Sequence, residues 1–274
     1  MNILEKAHVF LQAHGREIDL ARFDYHFGGA PVEKLLAALE RYQNPDGGFS
    51  GLEVDIAAPQ SHPFAMELAL LICLQAGAPK DHPLLQKAIA HLEATQDADG
   101  GWRFTPEIYQ HPLAPWFYVW AWPNLNPACT LAGLLIELGF GPANLLANVE
   151  KLFQQLNRLD GLADGEFYDV RPYAYYFLPE WEHPQRDAYR AALKQWLVRQ
   201  HTQNKLDGTH FFEYIRSPRT YIGQSIPPHI LNAHLDMLQH EQAADGGWPT
   251  PYNPFWRPWI TVNNLLVLQS FERL

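Results

Sequence analysis

Basic residues are scarce in this chain, and that scarcity excludes several classes of partner. Its 274 residues include 20 Lys and Arg against 30 Asp and Glu, which gives a net charge of −10 at neutral pH. No run rich in Lys or Arg occurs that could neutralise the phosphates of a nucleic acid. Nucleic acid is therefore not an expected partner, and an anionic membrane surface is disfavoured for the same reason.

Cysteines and long apolar runs are scarce too. Cys73 and Cys129 each lie in an apolar helical pattern, where a buried thiol is expected and a disulfide is not needed. The most apolar stretch, residues 64–76, is too short to span a membrane and contains Glu67. The N-terminus has neither the basic start nor the apolar run of a secretory signal. We therefore expect a cytoplasmic protein without a transmembrane segment.

Spacings typical of metal sites are also missing. None of the 13 histidines stands in an H-x-x-x-H or H-x-x-H spacing, and no C-x-x-C occurs. Histidine precedes proline at His62, His82, His111 and His183. A helix start explains three of these pairs, because proline suits the first helical turn. We predict no metal and no cofactor.

What the chain does contain is a repeated motif, Q-x-x-D-G-G-F/W. It occurs almost unchanged at residues 43–49, 96–102 and 242–248, and worn copies lie at 159–167 and 203–211. A glycine just past a helix end can take the left-handed conformation that closes the last turn, and the Asp before it favours a turn. The aromatic residue can then pack back against the helices. Repetition of the motif along the chain predicts one helical hairpin per motif. It also predicts that Asp46, Asp99 and Asp245 have structural roles.

The helices predicted between these corners alternate in character. Some are apolar on all sides, and the next has one polar face, which predicts an inner ring of helices enclosed by an outer ring. We therefore predict a single domain over residues 1–274 with an all-α fold, an α/α toroid of five or six helical hairpins. The apolar helices are predicted at 63–76, 126–140 and 258–272, and the amphipathic ones at 31–43, 83–95, 142–158, 184–201 and 228–241, with a weak helix at 3–14, an aromatic segment at 167–178 and an ambiguous one at 211–222.

The motifs at 96–102 and 242–248 resemble the Q-W-type repeats of the terpenoid cyclase and protein prenyltransferase superfamily, which includes the squalene-hopene cyclases. The resemblance extends through most of the chain and implies an inner barrel whose aromatic-lined cavity holds an isoprenoid chain. The superfamily's D-x-D-D acid motif is reduced to D-A-D-G at 97–100, and its D-D-x-x-D magnesium motif has no counterpart. Leu71 and Pro127 replace the Asp of the D-x-C zinc pair. The resemblance therefore carries the fold and not the catalytic residues.

Tryptophan is concentrated in two windows of the sequence. Seven of the nine tryptophans lie at 102–122 and 248–259, in loops between a corner and an inner helix. Aromatic rings at the mouth of a toroid can stabilise carbocations or stack on sugars; the alternative is that they pack loops over the end of the barrel. The candidate ligand-binding residues in these windows are His111, Trp116, Trp120, Trp122, Tyr252, Trp256 and Trp259.

A second candidate lies at 166–176, where polar residues replace an aliphatic inner helix. Polar groups in an apolar ring cost stability unless paired, so function is expected there. Asp169 and Tyr173 would share a helix face, and an acid in an aromatic cavity has a raised pKa and can protonate an alkene. Asp169, Tyr173 and Glu53 are our candidate catalytic residues, with Arg171 and Tyr176 as ligand-binding residues. In the alternative, Asp169 caps the helix and Arg171 pairs with a neighbouring carboxylate.

Three functions are compatible with these patterns. The first is an enzyme or binder of a small apolar, isoprenoid-like molecule, with Asp169 or Glu53 as a non-standard acid. The second is a carbohydrate-active lyase or hydrolase at the same mouth, by analogy with other α/α toroids. A pair such as Glu53 and Asp169, or Tyr173 and Arg171, would flank the glycosidic bond. The third is a non-catalytic scaffold. The sequence leaves substrate, reaction type and oligomeric state open.

Overall fold

The computed structural model describes residues 1–177 and 179–274, and the predicted aromatic segment 167–178 ends on the one residue outside these ranges. Within them the chain is helical and has no strand, only isolated bridges at Gln43–Phe49 and Ile56–Leu113. Short 3₁₀ helices lie at Ile108–Gln110 and Pro254–Trp256. The α-helices of these ranges are α1 Ile3–His14, α2 Glu17–Phe27, α3 Val32–Glu40, α4 Pro63–Ala76, α5 Pro83–Thr95, α6 Pro115–Tyr118, α7 Leu125–Glu137, α8 Ala143–Leu156, α9 Leu159–Leu162, α10 Phe167–Phe177, α11 Arg186–Thr202, α12 Gly208–Phe212, α13 Tyr221–Ser225, α14 Pro228–His240 and α15 Arg257–Ser270.

The helices predicted from hydrophobic periodicity are confirmed, with ends displaced by a few residues. The prediction missed α2 and the short helices α6 and α9, and the ambiguous segment 211–222 contains parts of two short helices, α12 and α13. The sequence of α2 carries charged residues at Asp19 and Arg22 on its buried side, which hides the apolar stripe on which the prediction depends. A helix with buried charged residues is therefore not recognised from hydrophobic periodicity.

The chain divides into two compact units. Unit 1 comprises residues 1–31, 162–164 and 184–274, and unit 2 comprises residues 32–161 and 165–183. In unit 2 the buried helix α7 packs against α4 and α10, while the amphipathic helices α3, α5 and α8 pack against α4 or α7. In unit 1, α15 packs against α1, α2, α12 and α14. The single domain over 1–274 stays a prediction.

The repeated motif forms the corner that its sequence predicts. In the copy at 96–102, Gly100 has φ +94. The Asp99 carboxylate accepts a hydrogen bond from the backbone N–H of Gly101 at 3.0 Å. The Gln96 amide donates to the Gly100 carbonyl and to Leu145 of α8, which ties the corner to the next outer helix. Trp102 is buried and donates from its indole N–H back to the carbonyl of Leu92 in α5. Equivalent glutamine and aspartate bonds recur at 43–49 and 242–248.

The worn copies form different structures. Residues 159–162 become the short helix α9, and Asp207 caps α12 by accepting from the backbone N–H of His210. Asp46, Asp99 and Asp245 are confirmed as structural residues of the intact corners. Both cysteines are buried and unbridged, as predicted.

Candidate functional site

A group of aromatic and aliphatic side chains, which we call the aromatic cluster, lies at the N-terminal end of α4 in unit 2. Phe64, in the first turn of α4, is at its centre, with its ring centroid 5.7 Å from Phe104, 4.9 Å from Phe117 and 5.2 Å from Trp120. The last contact is edge-to-face, a favourable geometry for aromatic pairs. The buried members are Ile56, Ala58, Phe64, Phe104, Ile108 and Phe117, and the partly buried ones are Leu113, Ala114, Trp120 and Trp122.

Two loops are joined by backbone hydrogen bonds to form this cluster. The N–H of Ala57 donates to the carbonyl of Pro112 at 3.0 Å, and the N–H of Ala114 donates to the carbonyl of Asp55 at 2.9 Å. These bonds bring the loop at 50–61, which carries Glu53, against the tryptophan-rich loop. The structure therefore unites two of the features that the sequence singled out separately.

Apolar surface continues outward from the cluster on α6 and the residues beside it. Trp116 is 42% exposed, Tyr118 53% and Val119 81%. Large exposed apolar side chains that lie next to one another mark sites of interaction more often than isolated ones do. Of the candidates in this loop, His111 is half-buried and its carbonyl accepts from the Tyr118 hydroxyl, while Trp120 and Trp122 belong to the cluster itself.

Glu53 is a buried acid on the loop at 50–61, which also carries Ile56 of the aromatic cluster. Burial is the main cause that raises its pKa from 4.5 to about 8; a hydrogen bond from the Asp55 backbone N–H opposes the rise, and the charges of Asp55 and Glu67 add to it. The positive charge of Arg171 acts in the opposite direction. Glu53 is therefore mainly a neutral carboxylic acid near pH 7, which can donate a proton.

A buried ion pair links α4 to α10. Arg171 donates to the Glu67 carboxylate at 2.8 Å and to the side-chain oxygen of Asn126 on α7 at 3.4 Å. Its guanidinium also lies over the ring of Tyr175, 4.8 Å from the ring centroid. The alternative that Arg171 pairs with a carboxylate is confirmed. Glu67 was not among the predicted site residues, although a lone acid in an apolar helix was the signal for it.

The remaining candidates of α10 lie in other surroundings. Asp169 is exposed in the first turn of α10, and its predicted role as an acid stays a prediction. The Tyr173 hydroxyl accepts from the backbone N–H of Arg158 at 2.9 Å, and the Tyr176 hydroxyl donates to Glu150 at 2.9 Å. Burial raises the pKa of both tyrosines. Their hydroxyls are engaged in local contacts, and their predicted roles stay predictions.

The aromatic candidates near the C-terminus belong to unit 1. Tyr252 is exposed, Trp256 is half-buried, and Trp259 is buried with the Arg22 guanidinium 4.0 Å above its ring. Arg22 is fully buried and also donates to Asn263, and burial lowers its pKa to about 9. Arg22 was not among the predicted site residues, because the helix that carries it was not predicted.

His62 performs two tasks at the start of α4. Its Nδ1 accepts from the backbone N–H of Ala65 at 3.2 Å, so the residue caps the helix whose start the His-Pro pattern predicted. Its ring meets Phe104 edge-to-face, with centroids 6.0 Å apart. Burial lowers the pKa of His62 to about 3, so the imidazole is neutral. Neither its Nε2 nor the indole Nε1 of Trp120 has a hydrogen-bond partner among the described residues, and both atoms are buried.

Within residues 1–177 and 179–274, no group of three or more His, Cys, Asp or Glu side chains has a geometry that could hold a metal ion. No helix in these ranges is both long enough and apolar enough to cross a membrane.

Comparison with known proteins identifies a fold. No protein-family model matches the chain, and no curated protein sequence matches it. Apo type II terpene cyclase MstE from Scytonema is similar in structure, with a TM-score of 0.59 and 14% identity over 99% of this chain and 89% of that one. A variant of that enzyme in complex with its substrate, geranylgeranyl dihydroxybenzoate, is similar too. Its TM-score is 0.58, with 13% identity over 99% of this chain and 88% of that one. The chain therefore has a terpenoid cyclase-like fold, which confirms the predicted all-α, α/α toroid class.

Proposed function

We propose that this chain binds an apolar, isoprenoid-like molecule at the aromatic cluster and transforms it with Glu53 as the acid. The observation that carries the proposal is the position of Glu53, a buried carboxyl with a pKa of about 8 on the loop whose Ile56 packs in the cluster. The terpene cyclase-like fold supports it, because the similar enzyme acts on a geranylgeranyl compound.

The acid would act on a carbon–carbon double bond. The Glu53 O–H bond breaks, its proton forms a C–H bond with the alkene π electrons, and a cation remains on the adjacent carbon. The aromatic rings of the cluster, among them Phe64, Phe104 and Trp120, would stabilise such a cation through their π faces. Arg171 stabilises the Glu53 carboxylate that the step leaves behind. Loss of a proton from a neighbouring carbon, taken up by that carboxylate, then yields an isomerised or cyclised alkene and restores the acid.

Replacement of Glu53 tests the proposal. Glu53→Gln keeps a neutral side chain of the same shape but has no acidic proton. We expect it to bind farnesol or geranylgeraniol as the wild type does, and to convert it at least about 100-fold more slowly, because general acid catalysis contributes that much or more. Binding is measured by tryptophan fluorescence, and products by gas chromatography with mass spectrometry.

Asp169→Asn is the matched control, because Asp169 was the other candidate acid and is exposed. It should convert the alcohols at the wild-type rate. Loss of conversion in Asp169→Asn with normal conversion in Glu53→Gln would reverse the assignment. Failure of the wild type to bind either alcohol would remove the proposed function itself.

The carbohydrate alternative has less support. It pairs Glu53 with Asp169 across a glycosidic bond, yet the first is buried and the second exposed. A glycosidase also needs a water-accessible site for its two carboxyl groups. Incubation of the same protein with nitrophenyl glycosides provides the comparison, and we expect no release of nitrophenol.

A further inference from the structure

Two hydrogen-bond donors without partners border the aromatic cluster. The Nε2 of His62 and the Nε1 of Trp120 are buried, and no described residue accepts a hydrogen bond from either. His62 is 2% exposed and lies against Phe104, while Trp120 lies against Phe64, and these two phenylalanine rings are 5.7 Å apart. Buried polar atoms without partners are uncommon, because each has lost its hydrogen bonds to water and gained none in the protein.

The helix cap determines which nitrogen of His62 carries the proton. The Ala65 N–H can only donate, so Nδ1 must accept from it at 3.2 Å. A neutral imidazole has one acceptor nitrogen and one N–H, which places the proton on Nε2. Indole Nε1–H is a donor in every state. Both unpartnered atoms are therefore donors, and the group that would satisfy them is an acceptor.

We propose that the apolar ligand carries uncharged oxygen, as a hydroxyl, ether or carbonyl group, which accepts hydrogen bonds from His62 Nε2–H and Trp120 Nε1–H at the aromatic cluster. This inference rests on the proposed function and narrows its substrate class, because a pure hydrocarbon would leave both donors unsatisfied.

The composition of the cluster explains why the oxygen is uncharged. The ten side chains of the cluster are aliphatic or aromatic and carry no charge. Arg171, whose charge acts on nearby Glu53, is already paired with Glu67. An anionic oxygen would therefore be desolvated without a counter-charge, which costs far more than burial of a neutral one.

Access to the donors requires movement of the surrounding side chains, since both nitrogens are enclosed. The segment next to Trp120 contains the exposed residues Trp116, Tyr118 and Val119, so its movement breaks few buried contacts. A ligand that rotates the Trp120 ring would expose its N–H and the Phe64 face together. Binding should therefore change tryptophan fluorescence.

The test compares two probes in the wild type and in three variants. The probes are farnesol and the hydrocarbon in which hydrogen replaces its hydroxyl, and the measurement is the ratio of their dissociation constants by fluorescence titration. His62→Asn retains a side-chain acceptor that can cap α4, since Asn is a favoured cap, but it lacks the Nε2–H donor. We expect the preference for farnesol to fall about 5-fold or more in His62→Asn. Farnesol loses the hydrogen bond from His62, whereas the hydrocarbon forms none and its dissociation constant should not change.

His82→Asn is the matched control. His82 caps α5 through its Nδ1 in the same way, at 3.3 Å from the N–H of Leu84, and is not part of the aromatic cluster. It should leave the preference unchanged. Trp120→Phe keeps a ring and removes the N–H, so it should lower the preference too, and it tests the inference should His62→Asn not fold.

The outcomes separate this inference from the function on which it rests. Binding of both probes with the same preference in wild type, His62→Asn and Trp120→Phe would overturn the inference and leave the proposed function standing. Binding of neither probe by the wild type would overturn both. Tighter binding of the farnesoic acid anion than of farnesol would overturn the claim that the oxygen is uncharged.

Discussion

Two carboxyl groups of this chain, those of Glu53 and Asp169, are nearly identical in chemistry and lie in opposite environments. Glu53 is 9% exposed, and burial raises its pKa to about 8, whereas Asp169 is exposed at the start of α10. A carboxyl group that donates a proton at neutral pH must have a raised pKa, and burial together with neighbouring negative charges raises that of Glu53. Environment at the scale of one residue therefore favours Glu53 over Asp169 as the acid.

Stability should depend on pH through Glu53. Its pKa is about 8 in the folded chain against 4.5 as the reference, so between these values the folded state holds a proton that the unfolded state has released. Stability from this group is therefore complete below the lower pKa and is lost as pH rises through the upper one, at up to about 1.4 kcal/mol per pH unit. Urea unfolding at about pH 5.5 and about pH 7.5 should show wild-type stability falling by about 2 kcal/mol more than that of Glu53→Gln. Parallel curves for the two proteins would contradict the raised pKa.

At the scale of elements, the packing of α4, α7 and α10 depends on one polar contact among apolar ones. Arg171 on α10 bonds to Glu67 on α4 and to Asn126 on α7, so a single guanidinium connects three buried helices. Buried ion pairs contribute little net stability, but they penalise every arrangement in which one partner is unpaired. The pair therefore specifies how these three helices are placed.

Removal of one partner of the Arg171–Glu67 ion pair should lower the free energy of unfolding more than removal of both partners. Arg171→Met leaves the Glu67 carboxylate buried without its guanidinium and should lower the free energy of unfolding by about 3–5 kcal/mol. The double variant Glu67→Met with Arg171→Met should recover most of that loss, since the two apolar side chains fill a similar volume. Urea denaturation of both variants measures the difference. A double variant no more stable than Arg171→Met would show that the charges themselves stabilise the packing.

At the scale of the whole molecule, the repeated corner ties distant parts of the chain together. The copies at 43–49 and 96–102 each bond to the next outer helix in sequence, while the copy at 242–248 bonds to Ile3 in the first helix. Gly246 approaches that helix closely, because an added Cβ would lie 2.1 Å from the Lys6 carbonyl oxygen. Unit 1 is therefore held together by contacts between both ends of the chain.

Gly246→Ala should be strongly destabilising. Its φ of +96 is unfavourable for alanine, and the methyl group would overlap the backbone of α1, so we expect a loss of about 3–5 kcal/mol. Gly77→Ala is the control, because Gly77 has φ +61 with no other atom within 4 Å of an added Cβ, and strain alone should cost about 1–2 kcal/mol there. Thermal unfolding compares the two. Equal losses would show that the close approach to α1 has no part in stability.

The sequence by itself determined the helices and the corners, because both depend on short stretches of chain. Left-handed glycines, turn-forming aspartates and apolar periodicity act over a few residues, and the corner at 96–102 has the predicted bonds. Of the helices that the prediction missed, α2 is the longest, and buried charge interrupts its periodicity.

Only the tertiary structure decided the candidate site. It paired Arg171 with Glu67, which is 104 residues away in sequence, and placed Glu53 in a buried position and Asp169 in an exposed one. It also left His62 with a donor directed at no described partner. The physical reason is that desolvation, ion pairing and unsatisfied hydrogen bonds depend on which side chains, distant in sequence, come into contact. The local sequence pattern does not contain that information.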